Sequence, residues 1–258
     1  MLDFNDITSQ YPQSLQGFKR NMLREYLQYK ILAVISNSPY STKLSFIGGT
    51  ALCIVHHNPR FSEDLDFDNF DLMENEFDTL AEFIQKKLQS EGYDVEIRNV
   101  HKGAYRCYMR FPKILFDLGL TQIEEEKVLI QIDTAPHHFK YEPETKILNK
   151  FDVFASIRVT PLDVLLSQKF NAAFSRKTAK GRDFYDIVFL LSRTKPNYDY
   201  LREKLGISDE NDLRKKFLQK INSLNFVELA EDVKPFLFKP DDNQKVLLFP
   251  EFFKEVKL

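Results

Sequence analysis

The chain has 258 residues, 43% hydrophobic and 29% charged, with a formal net charge of −2. That length holds one large domain or two small ones with an ample core. The near-neutral balance predicts no strongly basic surface for non-specific nucleic-acid binding, though it leaves room for local basic patches.

With no Trp but 24 Phe and 11 Tyr, aromatic packing falls to phenylalanine and tyrosine. Cys53 and Cys107 lie in apolar-patterned segments and offer neither a disulfide framework nor a metal spacing. The start, MLDFNDITSQ, is polar and acidic, unlike a secretory signal, and no apolar run is long enough to span a membrane, so a reducing cytoplasm is expected.

In chain order, residues 14–37 carry Leu15, Phe18, Met22, Leu23, Tyr26, Leu27, Leu32 and Ile35 at approximately helical spacing, which reads as core packing. Pro39 and Tyr40 end this helix before a strand at 43–47. Residues 46–68, FIGGTALCIVHHNPRFSEDLDFD, then organise the chain. They predict a strand end at Phe46 and Ile47, a tight turn at Gly48 and Gly49, and a helix starting after Thr50. A loop through Asn58, Pro59 and Arg60 leads to a strand alternating Asp64, Leu65, Asp66, Phe67 and Asp68.

Alternation sends Leu65 and Phe67 to the core and crowds the three acids on the other face. Crowded carboxylates repel unless they share a cation, and an oxygen-preferring divalent ion such as Mg²⁺ suits them. A Gly-Gly turn admits a ligand close to the backbone, and a new helix offers unpaired N–H groups to an anion. Thr50 would cap that helix and hydrogen-bond a phosphate. The plain alternatives are a strand-to-helix turn with a cap and the wet face of an edge strand.

Downstream, Phe77, Leu80, Ala81, Ile84 and Leu88 predict a helix over 76–90, stopped at Gly92. Strands follow over 93–100 and 104–111, the second placing Arg106, Tyr108 and Arg110 on one face. If this strand neighbours the Asp strand, Arg106 or Arg110 leans toward bound phosphate; the alternative is a solvated face. Residues 127–135, KVLIQIDTA, form a strand with Val128, Ile130 and Ile132 to the core and Leu129, Gln131 and Asp133 opposite. An acid ending so apolar a strand needs a partner, unless it only starts the turn before Thr134 and Pro136. His137 and His138, like His56 and His57, have no ligand at metal spacing and read as loop surface.

A strand over 151–159 leads to Thr160-Pro161-Leu162-Asp163, a helix start with Thr as cap. In that helix Lys169 lies one turn from Leu165 and Ala173, on or beside the packed stripe, where a lysine ordinarily snorkels to water. A basic loop with Arg176, Lys177, Lys180 and Arg182 precedes a helix whose Asp183, Asp186, Ile187 and Leu190 share a face; its two acids also suit the helix dipole. Helices over 198–205, 212–224 and 226–237 and an apolar tail, VLLFPEFFKEVKL, complete a helical C-terminal region, with no repeat or flexible linker.

GGTAL followed by RFSEDLDF, with QKFNAAFSR and GRDFYDIVFLL later, resembles the AbiEii/AbiGii-type nucleotidyltransferase toxins, a branch of the DNA polymerase beta-type superfamily. The motifs fall in the expected order over about residues 43–193. The resemblance implies an α+β (or α/β) mixed sheet with flanking helices over 1–150, and a helical lobe over 151–258 completing the active site.

It also implies Mg²⁺-dependent transfer of a nucleoside monophosphate from an NTP to an acceptor hydroxyl. Asp64 and Asp66 become metal ligands, and Asp133 either completes the metal set or acts as a general base on the acceptor. Gly48, Gly49, Thr50, Arg60, Ser62 and Lys169 are expected at the nucleotide, and Lys169 and Asp183 match the last motif. A toxin of a toxin–antitoxin or abortive-infection pair follows, with a separately encoded antitoxin as partner and tRNA as an acceptor used by some relatives. A catalytically silent binding module, or a nucleotidyltransferase acting on a small molecule such as an aminoglycoside, is the alternative.

Overall fold

The computed structural model describes residues 2–136 and 138–258, so the expectation for His137 lies outside the described residues. The chain divides into two compact units. The first comprises residues 1–55, 61–138 and 143–159, and the second comprises 56–60, 139–142 and 160–258. The main break falls at Val159 and Thr160 rather than near 150, because the strand Val153–Val159 pairs into the sheet of the first unit.

The first unit is built on a mixed sheet of seven strands among the described residues. They are β1 (Leu44–Ile47), β2 (Leu65–Asn69), β3 (Glu96–His101), β4 (Tyr105–Phe111), β5 (Val128–Pro136), β6 (Glu144–Lys150) and β7 (Val153–Val159). Their spatial order is β3-β4-β5-β2-β1-β7-β6, with β2·β5 and β1·β7 parallel and the other pairs antiparallel.

The helices of this unit are α1 (Phe4–Ser9), α2 (Lys19–Ser36), α3 (Gly48–Ile54), α4 (Glu74–Ser90) and α5 (Ile114–Asp117). Helix α2 packs on β7 and α4, and α4 on β3. Leu23, Leu27, Ile31 and Leu32 of α2 are buried, as are Phe46, Phe67, Cys107, Ile130 and Ile132 of the sheet. Strand alternation drives this layering: one set of alternate residues is apolar and covered, which leaves the polar set on the opposite face.

The second unit is helical, with α6 (Leu162–Ser175), α7 (Gly181–Leu191), α8 (Tyr198–Leu205), α9 (Glu210–Ile221), α10 (Phe226–Val233), α11 (Gln244–Leu247) and α12 (Phe249–Glu255). Phenylalanines hold it together. Phe217 lies 5.0 Å from Phe170 and 4.9 Å from Phe253, and Phe184 lies 5.0 Å from Phe249, between ring centroids and mostly edge to face. The apolar tail thus docks on its own unit, with Phe249 and Phe253 fully buried. Among the described residues no helix is long and apolar enough to cross a membrane.

Candidate active site

Side chains pin the run entering β2 before the first acid is reached. Gln28, buried in α2, donates from Nε2 to the carbonyls of Ser62 (3.1 Å) and Glu63 (2.9 Å). The Thr50 hydroxyl donates to the carbonyl of the next residue, Asp64. Three successive carbonyls are therefore held by two helices. Thr50 is not the expected cap: α3 starts at Gly48, its N-cap is Ile47, and Thr50 is buried inside the first turn. Its hydroxyl positions the Asp64 backbone, which is a different task from the phosphate contact expected of it. The helix can start early because Gly48 takes φ +78°, a conformation costly for side-chain-bearing residues.

Leu65 and Phe67 are buried as the alternation requires, Asp64 is exposed and Asp66 half-buried. Asp68, which alternation sets on the same face as Asp64 and Asp66, is buried, at 6% exposed, which speaks against a plain wet face there. A Cβ at Gly48 would lie 2.5 Å from Asp66 Oδ2, so the bare glycine is what lets this carboxylate lie against the turn.

Asp66 is in register with Asp133 on the parallel strand β5, and Asp133 is in register with Arg106 on the antiparallel strand β4. A row Asp66–Asp133–Arg106 thus crosses three strands. Arg106 Nε donates to Asp133 Oδ1 (2.9 Å) and Oδ2 (3.1 Å), and its Nη2 donates to Oδ2 (3.0 Å). Gln131 Nε2 adds a bond to Oδ2 at 2.9 Å. The Asp133 carboxylate, followed by Tyr108, raises the Arg106 pKa further above its ordinary range.

Strand β4 neighbours β5 and not β2, so Arg106 meets the third carboxylate rather than open space beside the pair. Arg110 instead lies in register with Leu129, its guanidinium 5.7 Å from the Tyr108 ring centroid.

The donors offered by Asp64, Asp66 and Asp133 are all carboxylate oxygens, the class that Mg²⁺ takes. Among the described residues, however, no three His, Cys, Asp or Glu side chains are gathered as they would be round an ion. The chemistry of the set fits the metal, while one member, Asp133, is engaged by a guanidinium.

In the second unit a separate charged cluster forms. Asp186, fully buried, accepts from Asn58 Nδ2 (2.8 Å) and from Arg60 Nε and Nη2 (both 2.7 Å), and Lys169 Nζ lies 2.8 Å away. Lys169 Nζ also donates to Asp183 Oδ1 at 3.3 Å. Arg176 Nε stands 3.1 Å from Asp183 Oδ2, without hydrogen-bond alignment. Lys169 and Asp183 therefore come together as the motif suggested.

Arg60 does not fit the nucleotide role expected of it. It is 1% exposed, and its fork is closed on Asp186 in the interior of its unit. Burial works against ionised Asp186, but Arg60 and Lys169 outweigh it and hold the carboxyl below its usual range. Burial likewise works against charged Lys169, and Asp186 and Asp183 outweigh it and raise its pKa.

A family model described as nucleotidyl transferase AbiEii toxin, Type IV TA system, matches residues 30–246. The chain belongs to this family. AbiEii membership makes it a nucleotidyltransferase of the toxin side of a toxin–antitoxin pair, with an NTP substrate and an antitoxin partner. No curated protein matches it in sequence.

Two solved structures share the fold of this AbiEii chain. JHP933 from Helicobacter pylori is 17% identical with a TM-score of 0.54, over 91% of each chain. An H. pylori protein described as a nucleotidyltransferase is 16% identical with a TM-score of 0.55, over 91% of this chain and 94% of that one.

Sequence reasoning missed Gln28 and Asn58, and it set Asp186 apart only as a face residue. Gln28 left a faint trace, an amide amid the apolar stripe of α2; Asn58 left none, because its partner is 128 residues away.

Proposed function

We propose that this AbiEii protein acts in the cytoplasm, transferring a nucleoside monophosphate from an NTP to the hydroxyl of an RNA, with tRNA as the leading acceptor. The acceptor hydroxyl gives up its proton, with Asp133 as the candidate base, its oxygen forms a bond to the α-phosphorus, the α–β phosphoanhydride bond breaks, and pyrophosphate leaves with the electron pair. The observation that carries the reading is the register of Asp66 with Asp133, with the Asp66 carboxylate lying against the bare Gly48 turn, which brings carboxylates and the strand-to-helix turn together.

Asp64, Asp66 and Asp133 would hold Mg²⁺, which when bound neutralises triphosphate charge and stabilises the attacking and leaving oxygens. Gly48 and Gly49 would present the turn to the triphosphate, with the Asp66 carboxylate lying against Gly48, and Ser62 offers a hydroxyl in the pinned run. Thr50 and Gln28 fix the backbone from which Asp64 and Asp66 project. Lys169 supplies positive charge for phosphate, oriented by Asp183 and Asp186. Phosphoryl-type transfer depends mainly on such positioning and charge, so loss of one carboxylate should be severe. The basic stretch of Arg176, Lys177 and Lys180, with Arg182 in the first turn of α7, supports an RNA acceptor despite the slightly acidic total.

The test incubates purified protein with Mg²⁺, each α-labelled NTP in turn and total bacterial RNA, beside Asp66→Ala. Label in a discrete tRNA-sized band, absent with the variant, is the expected result. Label in protein or small molecules instead would move the acceptor to that class.

A further inference from the structure

Arg106 combines three properties. It lies in register with Asp133, whose own other neighbour in register is Asp66. Its hydrogen bonds engage both Asp133 oxygens, the ones a metal would need. Its side chain is 40% exposed, against 1% for Arg60, so it has room to leave its partner.

A guanidinium does not lose its proton at any working pH, so Arg106 remains a charged partner of Asp133. A competing cation can release Asp133, and a compact divalent ion has the higher charge density. Once displaced, the planar fork of Arg106 suits the next anion in reach, and phosphate oxygens match it in the same bidentate way as a carboxylate.

We infer that Arg106 is a positioning residue that occupies Asp133 while the site lacks nucleotide and passes to the triphosphate when a divalent cation takes the carboxylate. The inference rests on the metal reading of Asp64, Asp66 and Asp133. Arg106 then has two opposite effects: it competes with metal alone and assists metal together with nucleotide. Loose ion binding in the resting protein, and ordered binding once nucleotide arrives, follow from one side chain.

The test is calorimetric titration of the full chain and of Arg106→Gln, first with Mn²⁺ alone and then with Mg²⁺ plus each non-hydrolysable NTP analogue. Removing one positive charge beside the carboxylates should tighten Mn²⁺ binding about tenfold and weaken the Mg²⁺–nucleotide complex about tenfold. In an Asp133→Asn background the Mn²⁺ difference should vanish.

A residue that only supports the sheet would not produce opposite signs. Equal Mn²⁺ affinity in the two proteins overturns the inference while leaving the metal reading in place. Tighter binding of both ligands by Arg106→Gln overturns the hand-over to the triphosphate. Failure of the unaltered protein to bind Mn²⁺, even with nucleotide, removes the metal reading and this inference with it.

Discussion

A methyl group at position 48 would meet Asp66 Oδ2 at 2.5 Å, on a backbone already at φ +78°. Gly48→Ala should therefore cost about 1–2 kcal/mol of stability in thermal denaturation through backbone strain alone. Moving Asp66 should also lower nucleotidyl transfer by about 100-fold, since misplacement of about 1 Å is enough for that. A variant that stays fully active would separate the glycine turn from the site.

At this scale the sequence showed residue types better than partners. Gly48, Asp64, Asp66 and Asp133 were legible because a motif and an alternation single them out. The tie between Arg106 and Asp133 was not, since it depends on the pairing of β4 with β5, and the stretch joining them carries no signal of register. The burial of Arg60 was hidden for a similar reason: a charged residue in a loop reads as exposed until Asp186, distant in sequence, is placed beside it.

Helix α7 depends on a close approach at its first residue. A Cβ at Gly181 would fall 1.9 Å from the Leu229 carbonyl oxygen of α10, a backbone atom that cannot step aside as a side chain would. Gly181 N also donates to Asp232 in the same helix at 3.0 Å. Gly181→Ala is expected to destabilise the second unit by about 3 kcal/mol in denaturant unfolding. Gly17→Ala, where nothing lies within 4 Å of the added carbon, should be near neutral.

Elements with strong periodicity were foreseen closely, α8 at its exact bounds and α4, β4 and β5 within a residue or two. Strand β6, ETKILNK, was not, because an edge strand with few buried residues lacks the apolar alternation that announces a strand. Helix α6 begins at Leu162 with Pro161 as its N-cap, one position later than expected; Thr160 is instead buried with its hydroxyl 2.6 Å from Tyr141 Oη.

Across the whole molecule, the cluster around Asp186 ties pH to stability. The folded pKa of Asp186 is depressed, so its contribution is present above the ordinary carboxylate value of about 3.9 and is lost as pH falls through the lower folded value. Lys169 is raised, so its contribution is complete below about 10.4 and is lost as pH rises through the higher folded value. Asp186→Asn should cost about 3–5 kcal/mol, because it removes the negative charge that buried Arg60 and Lys169 share. In calorimetry from pH 3 to 9, the gap between this variant and the unaltered protein should stay constant at neutral pH and narrow only below about pH 4. A gap that narrowed near pH 7 would mean that a histidine, not this cluster, governs it.

The short segment His56–Arg60 belongs to the helical unit although it lies in sequence inside the sheet unit. Recombination that exchanged everything after residue 159 between two such genes would give the new helices a foreign Asn58 and Arg60, or none. The buried acid on α7 would then lose the guanidinium that keeps it ionised at low cost. Chimaeras of this coding sequence should therefore fold better when they carry residues 56–60 along with the C-terminal part.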